Sequence, residues 1–77
     1  MSWKDRISHE PEICHGKPCI KGTRVMLSVI LDNLAAGESV EEIQRGYSIE
    51  MADIQAVLLY AAELAKDRVI NLPKEAA

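Results

Sequence analysis

The chain has no phenylalanine, two cysteines, two histidines, one tryptophan and two tyrosines among 77 residues. Each scarcity removes a class of protein. Cys14 and Cys19 are too few to staple a small extracellular scaffold. No apolar run approaches the roughly 20 residues that a membrane-crossing helix needs. The opening, MSWKDRISHE, has none of the apolar character of a secretory leader. These absences predict a cytoplasmic protein with reduced thiols and no membrane partner.

The shortage of histidine also bears on catalysis. A nucleophile needs a base within hydrogen-bond reach and usually a third group to orient that base. His9 and His15 both lie in the first stretch of the chain. No Gly-rich phosphate loop and no paired metal-ligand motif on a helix accompanies them. The chain is therefore read as non-enzymatic, with no cofactor. A zinc site remains a weaker alternative, because His9, Cys14, His15 and Cys19 are all ligand types. Structural zinc, however, usually takes two separated ligand pairs, and here everything falls in one segment stiffened by Pro18.

What the sequence does have is aliphatic. Hydrophobic residues make up 48 % of a chain short enough to be a single domain. So small a domain buries a modest share of its surface and commonly needs reinforcement. The aliphatic surplus predicts a subunit interface, and hence a homodimer. Charge is unevenly placed. Residues 1–24 carry five basic residues against three acidic ones, whereas residues 25–77 carry four against nine. A basic arm thus precedes an acidic body.

Pro11, Gly16, Pro18 and Gly22 punctuate the arm too densely for a helix. Two short extended segments are expected instead, around Ile7 and around Cys19–Lys21, with a turn near His15–Gly16. From Val25 the spacing becomes helical. Leu27, Ile30, Leu31 and Leu34 share one face, and Gly37 is placed to end that helix. Ser39 and Glu42 have capping-box spacing at the start of a short second helix. Val40, Ile43 and Tyr47 are its buried side, and Gly46 is expected to limit it.

A third, longest helix runs from about Glu50 to Lys66. Ser48 is a candidate N-cap, and Glu50 and Asp53 suit the positive end of its dipole. Its expected core stripe is Ile54, Val57, Leu58, Ala61, Leu64 and Ala65. Leu59, Tyr60 and Ala62 widen the apolar surface beyond one bundle face. The pattern predicts a mainly α, trihelical, homeodomain-like helix-turn-helix bundle with a short N-terminal β-arm or hairpin. One domain spans 1–77: arm 1–24, bundle 25–66 and tail 67–77.

Site candidates follow from this layout. The third helix would occupy the recognition position, yet Glu50 and Asp53 oppose phosphate and only Gln55 suits base readout. Lys17, Lys21 and Arg24 make a better electrostatic case for DNA. They read equally well as solvated charges that guard a strand edge. Gly22, Thr23 and Arg24 also have a structural reading: a turn, a local backbone hydrogen bond, and a helix or carboxylate contact. Partner or dimer contact is assigned to Ile20, Leu59 and Tyr60, and to Ile70 and Leu72 of the apolar VINL stretch.

The segments RISHEPEICHGKPCIKGTRV and LDNLAAGESVEEIQRGYSIEMADIQAVLLYAAE together resemble a bacterial group, domain-of-unknown-function family 433. Pro11, Ile13, Gly16, Pro18, Ile20, Gly22, Thr23 and Arg24 match its arm motif. Leu34, Gly37, Ser39, Glu42, Ile43 and Tyr47 match its middle, and Asp53, Ile54, Ala56, Leu58 and Tyr60 its last helix. The resemblance covers about residues 6–64. It implies a homeodomain-like, arm-bearing helical fold and kinship with antitoxins of VapB type, encoded beside nuclease-like toxins of PIN-type fold. It brings no catalytic residues. Glu50 stands where the family often has a capping threonine, and only about a dozen residues follow the last helix.

The resulting expectation is an antitoxin-like regulatory module that binds a partner toxin protein and operator DNA. Two alternatives are kept. One is a dimeric interaction or scaffold module that does not bind DNA. The other is a metal-sensing regulator using Cys14, His15 and Cys19.

Overall fold

The structure is a computed structural model that describes residues 3–67. A single 3-10 turn, Trp3–Asp5, opens it. Strand β1 (Ile7–Ser8) and strand β2 (Cys19–Ile20) follow, separated by a second 3-10 turn at Cys14–Gly16. Three helices complete the order: α1 (Leu27–Ala35), α2 (Val40–Tyr47) and α3 (Met51–Asp67). The fold is mainly helical with a two-stranded N-terminal hairpin, as the punctuation and spacing predict.

The hairpin is antiparallel, with Ile7 opposite Ile20 and Ser8 opposite Cys19. β2 is bonded on both sides. The Lys21 N–H donates to the Arg6 carbonyl at 2.8 Å, and the Ile20 N–H donates to the Val25 carbonyl at 2.9 Å. The chain turns back at Ile20–Thr23, where the Thr23 N–H donates to the Ile20 carbonyl at 3.0 Å. Gly22 sits at φ 81°, the left-handed geometry that the third position of a type II turn requires. The Thr23 hydroxyl donates to the Ile20 carbonyl at 2.7 Å and accepts from the Val25 N–H at 3.0 Å. The Gly-Thr pair is therefore architectural.

This pairing changes the meaning of the arm. β2 runs between β1 and the Val25–Met26 segment rather than along a free edge. Ile7, Cys19 and Ile20 are consequently buried in one core with Leu27, Ile30, Ile43, Ile49, Ile54, Ala56 and Val57. The arm is part of the body.

α1 buries Leu27 and Ile30, with Leu31 and Leu34 packed at the margin. It ends as expected at Gly37, where φ is 91°. The Glu38 N–H closes this end on the Asn33 carbonyl at 3.1 Å, the wide loop of a Schellman motif. α2 begins at Ser39, whose hydroxyl accepts from the Glu42 N–H at 3.2 Å. Ile43 is its fully buried residue. Val40 and Tyr47 flank it, and the Tyr47 hydroxyl accepts from Asn33 Nδ2 at 2.9 Å.

Two boundary expectations are corrected. Gly46 lies inside α2, and Ser48 ends that helix instead. Ser48 holds a left-handed conformation, φ 55° and ψ 48°, so it caps the end of α2 and is not the N-cap of α3. The cause is Ile49. Its N–H bonds the Gln44 carbonyl at 3.1 Å and its side chain is buried. Burying the residue after the cap outweighs the cost of placing a serine where glycine is usual.

α3 starts at Glu50, whose carbonyl accepts the first helical bonds from Asp53 and Ile54. The Asp53 carboxylate reaches back and accepts the Glu50 N–H at 2.9 Å. That is one half of a capping box, with aspartate in place of the usual glutamate or glutamine. The expected core stripe is corrected here too. Ile54 and Val57 are buried, together with Ala56 and Asp53. Leu58 and Leu64 are 48 % and 40 % exposed, and Ala65 is exposed as well. α3 is twice as long as α1 or α2, and its buried residues all lie in the first two turns.

Candidate functional site

Three surfaces bear on function. The first is a charged cleft of about 400 Å³ where the hairpin turn meets the α2–α3 corner, lined by Arg6, Lys21, Ser48, Glu50 and Asp53 among others. Arg6 Nη1 donates to Asp53 Oδ1 at 2.9 Å and lies 3.4 Å from Glu50 Oε1. The bond from Asp53 raises the guanidinium pKa further above its already high value, so Arg6 is cationic throughout the working range. Asp53, taken from its spacing as an exposed residue of the recognition face, is only 8 % exposed. It ties the N-terminal segment to the start of α3. Arg6 and Asp53 thus serve the fold, and with Asp5 and Glu50 set against Lys21 the rest of the lining is net acidic.

The second surface is the basic periphery of β2. Lys17, Lys21 and Arg24 are all exposed. Lys17 precedes the strand, Lys21 follows it in the turn, and Arg24 begins the return. The Cys14 and Cys19 thiols both approach this return, donating to the carbonyls of Arg24 at 3.3 Å and Thr23 at 3.6 Å. Burial pushes the Cys19 thiol pKa up, and the neighbouring Cys14 adds to that. Cys19 is thus a packed, protonated thiol. Because β2 is flanked on both sides, the edge-guarding explanation of these three cations loses its edge.

The third surface is the outer side of α3. Met51, Leu58 and Leu59 are 47 %, 48 % and 44 % exposed. Gln55 and Ala62 are exposed beside them. Residues 51, 55, 58 and 62 recur at alternating steps of four and three, which puts them on one face of a helix. Asp53, Ile54, Ala56 and Val57 point into the body, so this face is the one turned away from the core. It carries no charged side chain between Met51 and Ala62 except those directed elsewhere.

The sequence-derived site residues divide among these places. Lys17, Lys21, Arg24 and Gln55 are exposed, but Gln55 belongs to the apolar outer face of α3 rather than to the basic periphery. Leu59 is on that outer face. Ile20, assigned to a partner interface, is 2 % exposed and packed within its own chain. Tyr60 is half-buried because the N-terminal segment covers it. Trp3 meets its ring edge-on at 5.1 Å, and His9 lies 5.8 Å away. Ile70 and Leu72 lie outside the described residues. For the metal-sensing alternative, no group of three or more His, Cys, Asp or Glu that could hold an ion occurs among the described residues. No described helix is long and apolar enough to cross a membrane.

The outer face of α3 was only partly visible from spacing. Leu59 and the surplus width of the helix pointed to it. Met51 and Leu58 were missed, because a periodic stripe looks the same whether or not something lies over it.

A family model described as a protein of unknown function, DUF433, covers residues 7–61. No curated protein and no solved structure matches the chain.

Proposed function

The chain belongs to the DUF433 family, and we propose that it is an antitoxin-type regulatory module that holds a partner protein on the outer face of α3. One observation carries this reading: an exposed apolar face, Met51, Leu58 and Leu59, lies opposite the buried side of the same helix. Contiguous exposed apolar surface on so small a domain marks an interaction site. Loss of charge at the centre and aliphatic content suit a protein partner. They do not suit phosphate, which an acidic helix start at Glu50 repels.

Operator DNA is a second reading, favoured by a separate feature. Lys21 lies within, and Arg24 just after, a turn that Gly22 permits and the two Thr23 hydroxyl bonds hold. Fixed cations are suited to phosphate contact. The same periphery in a dimer would present the charge twice. The cytoplasm is the compartment in which such a regulator works.

Co-expression with the product of the adjacent gene tests the first reading. The wild-type chain should co-purify with that product and relieve its toxicity, and Leu58→Glu should abolish both. A complex that survives Leu58→Glu together with Leu59→Glu sinks it. A salt titration on the operon's own promoter tests the second reading. Lys21→Ala with Arg24→Ala should weaken binding and reduce the slope against salt by about two phosphate contacts.

A further inference from the structure

We propose that the occupant of the outer α3 face is, in the free protein, a second copy of this chain packed antiparallel across a two-fold axis. The proposal rests on the reading of that face as an interaction surface and names its partner. The seam is Met51, Gln55, Leu58, Ala62 and Ala65, all exposed. Its spacing, steps of four and three in alternation, is that of the contact line of two supercoiled helices.

The order of sizes along the seam selects the direction. Large residues occupy its first half and alanines its second half. An antiparallel pair whose axis passes at the level of Tyr60 puts Leu58 against Ala62 of the other copy, and Gln55 against Ala65. Large then meets small at both of these pairs, the arrangement that fills space without voids or overlap, while Met51 lies beyond the end of the overlap. A parallel pair would place Leu58 on Leu58 and alanine on alanine, crowding one end and leaving the other hollow. It would also bring the two Glu50 carboxylates together and the two Lys66 ammonium groups together. The antiparallel pair keeps those like groups at opposite ends; each Lys66 already lies 3.8 Å from its own Glu63, so the order of sizes rather than charge decides the direction. Such a patch is self-complementary, as a two-fold interface requires.

Area bounds the class of contact. The 17 residues of α3 span about 25 Å. A contact of that length between two helices covers on the order of 400–500 Å² on each copy, at the small end of specific interfaces. A total of about 800–1,000 Å² lies below the standard interface size and in the weak, transient class, so the dimer opens when a tighter partner competes for the same face.

Sedimentation of the full-length chain over a wide concentration range, paired with directional cross-linking, tests this. A reversible monomer–dimer equilibrium is expected. Leu58→Glu should shift it to monomer without altering the far-UV circular dichroism. Chains carrying Gln55→Cys, mixed with chains carrying Ala65→Cys, should form the mixed disulfide far more readily than either forms one with itself. The double variant Leu58→Ala, Ala62→Leu should recover the dimerisation that Leu58→Ala alone weakens. A monomer at all concentrations overturns the proposal, as does preferential cross-linking of each cysteine variant to itself. If the chain is monomeric while Leu58→Glu still abolishes the toxin complex, the interaction face stands and only the second copy falls. If the dimer is found but the complex survives Leu58→Glu, the dimer stands and the partner reading falls.

Discussion

The N-terminal segment and the outer half of α3 exchange the places that their sequences suggest. The segment up to Arg24 is polar, basic and broken by proline and glycine, so it reads as an appendage. In the structure it supplies Ile7, Cys19 and Ile20 to the core and fastens to α3 through Arg6 and Trp3. α3 is aliphatic around most of its circumference and reads as core. In the structure Leu58, Leu59 and Leu64 face outward. Composition reports how much a segment would gain by burial, not whether anything covers it. A two-residue strand can be more deeply buried than a leucine-rich helix if it is bonded on both sides.

Equivalent truncations in the two regions should separate them most widely. Ile20→Ala removes a fully packed side chain and should cost about 2–4 kcal/mol. Leu58→Ala, at the same nominal chemistry, should stay within about 0.5 kcal/mol in the monomer. Urea unfolding at concentrations below dimer formation measures both. A cost at Ile20 as small as that at Leu58 would mean that the segment is a loose arm after all.

The turn that holds the segment in place can be weakened without touching the core. Thr23→Val keeps the shape of the side chain and deletes the two hydroxyl bonds. Each such bond contributes about 1 kcal/mol, so a loss of about 1–2 kcal/mol is expected. Hydrogen exchange at the Val25 amide should accelerate in step. An unchanged midpoint would show that Gly22 alone sets the turn.

The smallest effect has the opposite sign. Ser48→Gly relieves a left-handed serine at the corner joining α2 to α3. It should raise stability by up to about 1 kcal/mol, seen as a higher thermal midpoint. Destabilisation would mean that the serine side chain holds the corner by a contact of its own.

Much of the fold was legible in local signals. The two strands, the turn near His15–Gly16, the α1 face of Leu27 and Ile30, the Gly37 stop and the Ser39 cap are each set by a few neighbouring residues. The misreadings have a common origin in distant contacts. Gly46 resembles a stop, but helix α2 continues because Ile49 gains burial one turn later. Asp53 resembles an exposed acid, but Arg6, far away in sequence, covers it. Of the site, Lys17, Lys21, Arg24 and Leu59 were identifiable as exposed candidates. Ile20 was not separable from them, because a strand's edge or centre position depends on what pairs with it.

The sequence by itself determined the element order, most of the caps and membership of the DUF433 family, since motif, turn and periodicity are properties of adjacent residues. Only the tertiary structure decided that β2 is flanked on both sides, by β1 and by the Val25–Met26 return, and that α3 buries one side of its first two turns. Those outcomes depend on which surfaces meet, and a repeating pattern of leucine and alanine is silent about what lies opposite it.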